Sequence, residues 1–281
     1  MNLTSPTIIK ELLSKYEARP SKGLGQNFLI DKNILDKIVD SADIKPTDII
    51  LEVGPGLGVL TTELAKKAKR VIAVEKDETM IEILKETLRD FKNVEVINED
   101  ILTIESQIPK KYKLVANIPY YLTSPLIRKF LETKNPPEVM ILMLQKEVAQ
   151  RICVKPPGMN LLAVSVQFYA TPAIVSYVSK NCFWPAPKID SAIIKITPFD
   201  FAQGKPTKTS VPPDLFFEVV KAGFSHPRKQ LVNNLSSLKS SNGVKLDKVK
   251  ISEWLLKNNL TSNQRAETLN ISDWINLTNS F

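Results

Sequence analysis

Between Ile49 and Leu144 the chain alternates short apolar runs with stretches of helical spacing, and no other feature narrows its fold as far. Runs at Ile49–Val53, Val71–Glu75, Val94–Ile97, Lys113–Ala116 and Val139–Leu144 predict strands. Val59–Ala68, Thr79–Arg89 and Ser124–Leu131 lie between them with apolar residues three and four apart, which predicts helices. Consecutive strand–helix units form a parallel sheet covered on both faces, with ligand sites at the carboxyl ends of the strands. The expected class is therefore α/β.

Flanking segments extend this core. Ser5-Pro6 reads as a cap with proline in the first turn, and Ile8, Ile9, Leu12, Leu13 and Tyr16 repeat at helical spacing behind it. A loop with Gly23 and Gly25 spans Pro20–Asn27. Leu161–Ala170 fits either period and leans towards helix, whereas Ala173–Val178 and Ala192–Thr197 read as a closing strand pair. The polar stretch Pro198–Pro213, punctuated by Gly204, Pro206, Pro212 and Pro213, predicts a domain boundary. Beyond it, Leu215–Phe224, Lys229–Leu238, Val244–Leu256 and Ile271–Leu277 carry helical patterns. The expectation is a catalytic domain over 1–200, with an N-terminal helical extension, and a small α-helical domain over 210–281.

Composition removes whole classes of chemistry. A chain of 281 residues with one histidine, His226, and two cysteines, Cys153 and Cys182, has too little material for a His-centred triad, a multi-His metal centre, a zinc site or a disulfide framework. No metal is expected, and reduced thiols suit a cytoplasmic protein. Apolar runs stay far short of the ~18 residues of a membrane span. Lys10, Glu11, Lys15, Glu17 and Arg19 interrupt the continuous apolar stretch that a signal peptide has. The net charge of +8 concentrates in Lys221–Lys250, where Lys221, Arg228, Lys229 and four further lysines face a single acid, Asp247. Such clustering marks a polyanion binder, because each neutralised phosphate releases condensed counterions; a solvated helical surface is the plainer alternative.

Gly54-Pro55-Gly56-Leu57-Gly58 directly follows the first predicted strand and opens a helix, where glycine lets a ligand approach the backbone. The next strand ends in Glu75, about twenty residues on, placed to accept from two ribose hydroxyls. The third leads to Asp100, which can accept from an adenine amine. Either acid alone is as readily a cap or a solvated charge, but acids ending consecutive strands beside a glycine turn point to a nucleoside. No basic residue lies within Glu52–Leu64, which favours a sulfonium, as in S-adenosylmethionine (SAM), over a pyrophosphate.

Asn117-Ile118-Pro119-Tyr120 follows the fourth strand. An adenine amine is a weak nucleophile because its lone pair is delocalised into the ring. The Asn117 amide oxygen and the carbonyl of Ile118 or Pro119 can accept both its hydrogens and so favour a pyramidal nitrogen. Pro119 stiffens the turn, and Tyr120 offers a face for the base. A structural turn, with Asn as a cap and Tyr as filler, is the bland alternative, and the neighbouring glycine turn and acids weigh against it.

On these motifs the chain resembles the bacterial rRNA adenine N6,N6-dimethyltransferase family along nearly its whole length. Lys22–Leu29 matches the family's N-terminal signature, Glu52–Gly58, Glu75, Asp100 and Asn117–Tyr120 its SAM and catalytic motifs, and Leu144–Ala149 a shared stretch. Phe183–Ser191 resembles its target loop, Phe224–Leu235 the start of its RNA-contacting domain, and Gln264–Leu269 a stretch near its end. The resemblance implies a class I SAM-dependent methyltransferase, with a Rossmann-like seven-stranded sheet whose last strand is antiparallel. It implies that SAM is held by Gln26, Asn27, Leu29, Gly54, Gly56, Glu75, Asp100 and Asn117. Asn117, Pro119, Tyr120 and Phe183 would carry the chemistry, and Lys221, Arg228 and Lys229 would contact RNA. The implied substrate is a pair of adjacent adenosines in the 3′-terminal hairpin loop of small-subunit rRNA within the immature 30S particle, and the enzyme would act as a monomer.

Pro227 and Met159-Asn160 depart from the family pattern, the first beside the RNA-contacting residues and the second before Leu161–Ala170. Two alternatives share much of the pattern: the related large-subunit (23S) rRNA methyltransferases of antibiotic resistance, and a non-catalytic ribosome-assembly or transcription factor on the same fold. A nicotinamide oxidoreductase is disfavoured, since no convincing proton donor for hydride chemistry is present.

Overall fold

The computed structural model describes residues 1–21, 23–104, 108–199, 211–238, 243 and 245–281. Its first elements are α1 (Pro6–Lys15), β1 (Phe28–Leu29), α2 (Lys32–Ser41), β2 (Ile49–Val53), α3 (Val59–Lys67), β3 (Arg70–Glu75), α4 (Glu78–Thr87) and β4 (Val94–Asn98). There follow β5 (Lys113–Asn117), α5 (Thr123–Glu132), β6 (Met140–Gln145), α6 (Lys146–Cys153), α7 (Leu161–Gln167), β7 (Ala170–Val178), β8 (Phe183–Trp184) and β9 (Ser191–Pro198). The remaining helices are α8 (Pro213–Gly223), α9 (Leu231–Leu235), α10 (Lys248–Lys257) and α11 (Ile271–Asn279).

These elements form two compact units, Met1–Ala149 with Pro172–Pro198, and Gln150–Thr171 with Phe199–Phe281. The first holds a seven-stranded sheet in the order β4-β3-β2-β5-β6-β9-β7. Strands β2 to β6 are mutually parallel, and β9 runs antiparallel to β6, pairing Met140 with Ile196 and Gln145 with Ser191. The order turns back at β2, whose neighbours are β3 and β5, and ligand sites in open parallel sheets lie at such a point. All five predicted parallel strands are present within one residue at each end. The apolar sequences of β2, β3, β5 and β6 follow from burial on both faces, Ile50, Leu51, Val71, Leu114 and Ile141 being sealed from solvent, whereas the edge strand β4 exposes Glu95 and Asn98.

Several features were not in the sequence reading, β1 and the whole of α2 among them. Asp31 caps α2, accepting from the amides of Asn33 and Ile34. α6 starts directly at the end of β6. Phe183 and Trp184, expected only as loop, form β8 and pair antiparallel with β1, Leu29 opposite Phe183. Pro6 does occupy the first turn of α1, but the Ser5 side chain makes no capping bond.

The second unit has its own core. Phe168 stacks on Phe216 with ring centroids 4.0 Å apart, and Met159, Ala163 and Val164 are buried with Val219, Leu231 and Trp274. The segment 150–171 therefore belongs with the C-terminal helices, whereas the sequence reading put everything before residue 200 in one domain. Leu161–Ala170 is helical at its start because Asn160, one of the departures from the family pattern, caps α7 through the Ala163 amide. Of the tail helices, α9 covers five residues rather than the whole of Lys229–Leu238. Gly204, Pro206, Lys239 and Val244 lie outside the described residues, as does Lys22.

Candidate active site

Strand ends of the first unit meet at a cleft that is open to solvent and lined by Gly54, Glu75, Asn117 and Phe183 among others. The glycine turn after β2 forms one wall. Gly54 and Gly56 adopt φ of +67° and +57°, a left-handed backbone that disfavours any side chain. A Cβ on Gly56 would stand 3.4 Å from the Phe28 ring, and one on Gly54 3.7 Å from Pro119 Cδ. The turn is thus shaped for close approach.

Glu75 is buried at the end of β3. Its Oε1 accepts from the amides of Lys76 (2.8 Å) and Asp77 (2.9 Å), and its Oε2 from the Gly56 amide (3.2 Å). Burial raises its pKa, and these three donors oppose the rise. A carboxylate offers about four acceptor positions, so one is left, on Oε2. The expected acceptor for two ribose hydroxyls is in large part the brace of its own site.

The N-terminal loop is tied to the same turn. Gln26 Nε2 donates to Asp77 (2.8 Å) while its Oε1 accepts from the Ser21 amide (2.8 Å). Asp77 also caps α4. Asn27 and Leu29 line the cleft, Leu29 being almost wholly buried. Asp100 is not part of the wall. Its carboxylate accepts from Lys76 Nζ (2.8 Å) and the Leu102 amide (2.9 Å), and the lysine holds its pKa below the usual range. Lys76, which sequence reasoning passed over, lines the cleft at that place.

At the end of β5, Asn117 Nδ2 donates to the Asn27 carbonyl at 3.4 Å, and no described residue donates to its Oδ1. The Pro119 carbonyl is taken by the Leu122 amide (2.9 Å), whereas no described amide donates to the Ile118 carbonyl. Of the two carbonyls left open by the sequence, Ile118 has the free one. Tyr120 shares a 3.1 Å hydrogen bond with the hydroxyl of Ser191, which is buried at the start of β9. Burial raises the Tyr120 pKa, so the ring is neutral at physiological pH. Phe183 lines the cleft from β8, 4% exposed and packed in the core cluster of Leu29 and Ile34.

Glu52 is a further residue missed as a site member, although an acid inside the apolar run Ile49–Val53 is itself a signal. It lines the cleft and is 1% exposed. Neither its Oε2 nor the Thr61 hydroxyl has a hydrogen-bond partner among the described residues. Burial pushes its pKa to about 8.

The second unit carries the predicted RNA-contacting residues. Lys221 lies in the last turn of α8, exposed. Arg228 and Lys229 are exposed in the turn before α9, which Asn234 holds by donating to the carbonyls of Gly223 (2.6 Å) and His226 (3.0 Å). None of the three makes an ion pair among the described residues.

Residues 17–277 match the family model described as ribosomal RNA adenine dimethylase. The chain belongs to that family. It is a SAM-dependent enzyme that methylates adenine in ribosomal RNA. Ribosomal RNA small subunit methyltransferase A of Alkaliphilus oremlandii is 44% identical over 287 residues, covering 99% of this chain and 97% of its own length. The protein of that name from Clostridioides difficile is 42% identical, covering 99% and 96%. Among solved structures, the 23S rRNA methyltransferase ErmE aligns with a TM-score of 0.72 at 25% identity, over 90% of this chain and 99% of its own. A dimethyladenosine transferase from Plasmodium falciparum aligns at 0.71 and 28% identity, over 89% and 95%. The class I methyltransferase fold, with its last strand antiparallel, is thus as expected from the sequence. Among the described residues no helix is long and apolar enough to cross a membrane.

Proposed function

We propose that the protein dimethylates the N6 amines of two adjacent adenosines in the 3′-terminal hairpin loop of small-subunit rRNA, acting in the cytoplasm as a monomer on an immature small-subunit particle. The observation that carries the reading is the pair of acceptors at the end of β5, Asn117 Oδ1 and the Ile118 carbonyl, neither of which takes a donor from the described residues. They share the cleft with the glycine turn and Glu75. The relatives named for the small subunit are 38–44% identical over nearly the whole chain, against 25% for the large-subunit enzyme of known structure.

The cleft suits SAM. The glycine turn leaves the room a Cβ would fill, and Glu75 keeps one acceptor position for a ribose hydroxyl. Gln26, Asn27, Leu29, Gly54, Gly56, Glu75 and Asn117 hold it, with Asp100 reached beside Lys76. When bound, SAM supplies a methyl group on a positively charged sulfur.

Asn117 Oδ1 and the Ile118 carbonyl accept the two hydrogens of the target amine, which turns its lone pair out of the ring plane. Tyr120, its hydroxyl fixed by Ser191, and Phe183 take the base between them, and Pro119 keeps the turn stiff. No group has to remove a proton before attack; the proton leaves afterwards to solvent. Unstacking costs less for a loop adenosine than for one in a duplex. Lys221, Arg228 and Lys229 hold phosphates in the C-terminal unit.

Incubation with methyl-labelled SAM tests the reading. Label is expected in two adjacent adenosines of immature small subunits and not in large-subunit rRNA. Label confined to large-subunit rRNA, or none in either, would refute it.

A further inference from the structure

Tyr177, near the end of the edge strand β7, is 52% exposed, and Val175 on the same face is 42% exposed. The Lys146 ammonium lies 5.3 Å from the centroid of the Tyr177 ring. Short links connect this pair to the target pocket. Lys146 donates its amide to the Asp190 carbonyl (3.0 Å), the Asp190 carboxylate accepts from the Lys180 amide (3.0 Å), and the next residue, Ser191, holds Tyr120. Lys146 and Lys180 make no ion pair among the described residues, so a free ammonium stands beside the exposed ring.

We propose that Tyr177 and Lys146 form an RNA platform within the catalytic unit, which receives the nucleotide next to the adenosine being methylated. The proposal rests on the rRNA reading above and adds a binding surface to it. A base drawn into the Tyr120 pocket leaves its neighbour without a stacking partner, and single-stranded RNA is held by aromatic faces for bases and cations for phosphates. Charge decides for RNA over an apolar peptide. A cation–π contact at an exposed site is weaker than base–aromatic stacking, so Lys146 gives up the ring to a base and takes the adjoining phosphate.

Affinity for immature small subunits and for deproteinised small-subunit rRNA is the test, with S-adenosylhomocysteine affinity as the control. Tyr177→Ala is expected to weaken binding to both RNAs about tenfold, and Tyr177→Phe, which keeps the ring, less than twofold. Lys146→Met should lower the slope of log K against log salt by about one. Cofactor affinity should be unchanged in all three. Wild-type RNA binding by Tyr177→Ala would overturn the proposal, as would equal losses of RNA and cofactor binding, which mark a structural role. A loss seen on the particle alone would assign the surface to a protein and overturn it too. A wild-type enzyme that does not label rRNA would instead sink the preceding reading.

Discussion

Glu75→Gln separates two roles that a single carboxylate plays here. The carboxylate accepts three backbone amides, from Gly56, Lys76 and Asp77, with no ligand present. The glutamine amide has the same shape but one oxygen. If that oxygen keeps the two amides at the Oε1 position, the Gly56 amide faces an NH₂ group and goes unpaired. Leaving this part-buried donor unsatisfied costs up to about 1–3 kcal/mol, and the two remaining bonds weaken because a neutral acceptor replaces a charged one. The ligand-free protein should therefore lose roughly 1–3 kcal/mol, a drop of several degrees by calorimetry. Cofactor affinity should fall with it, since the glycine turn it braces lines the cleft, by about 1–2 kcal/mol or ~5–30-fold in titration with S-adenosylhomocysteine. A Glu75 serving only as ribose acceptor would change affinity and leave the ligand-free melting point alone. That outcome would refute the bracing role; an unchanged Kd would refute the cofactor role.

Other perturbations test the remaining parts. Asn117→Ala removes one of two acceptors for the amine and should lower kcat about 10²–10³-fold, with much smaller change in S-adenosylhomocysteine affinity; equal losses would count against it. Burial raises the Glu52 pKa to about 8, so the folded state keeps a proton that the unfolded chain releases. Its contribution to stability is full below the ordinary carboxylate range and fades as pH rises to about 8, and Glu52→Gln should abolish that decline in melting temperature between pH 5 and 8. Ser191→Ala and Tyr120→Phe both delete the bond that orients the Tyr120 ring, so each should slow methylation several-fold and the double variant no further than either alone. Charge reversal at Arg228 and Lys229 should weaken rRNA binding and flatten its salt dependence, measured by filter binding at several salt concentrations.

The central parallel strands were legible because burial on both faces writes them as largely apolar runs, which need no partner to be recognised. β1 and β8 were not, because two residues hold no period and their pairing joins positions more than 150 apart. The same limit explains the placement of 150–171. The apolar face of α7 announces that it is buried, but whether Phe168 meets Phe216 or the sheet is decided by packing.

At the site, residue types survived the passage to structure better than their roles. Asn117, Glu75 and the glycine turn are recognisable because few side chains satisfy what each position demands. Which lone pairs remain free is a different matter. Choosing between the Ile118 and Pro119 carbonyls depends on the tight turn at Tyr120–Leu122, whose Leu122 amide takes Pro119. Asp100 reads from sequence as an acceptor for adenine, yet its partner Lys76 sits on another strand end, 24 positions earlier. Hydrogen-bond occupancy depends on every neighbour being in place, and it determines which polar atoms a substrate can still use. The two free acceptors at the end of β5 therefore point to the proposed amine more closely than the motif that contains them.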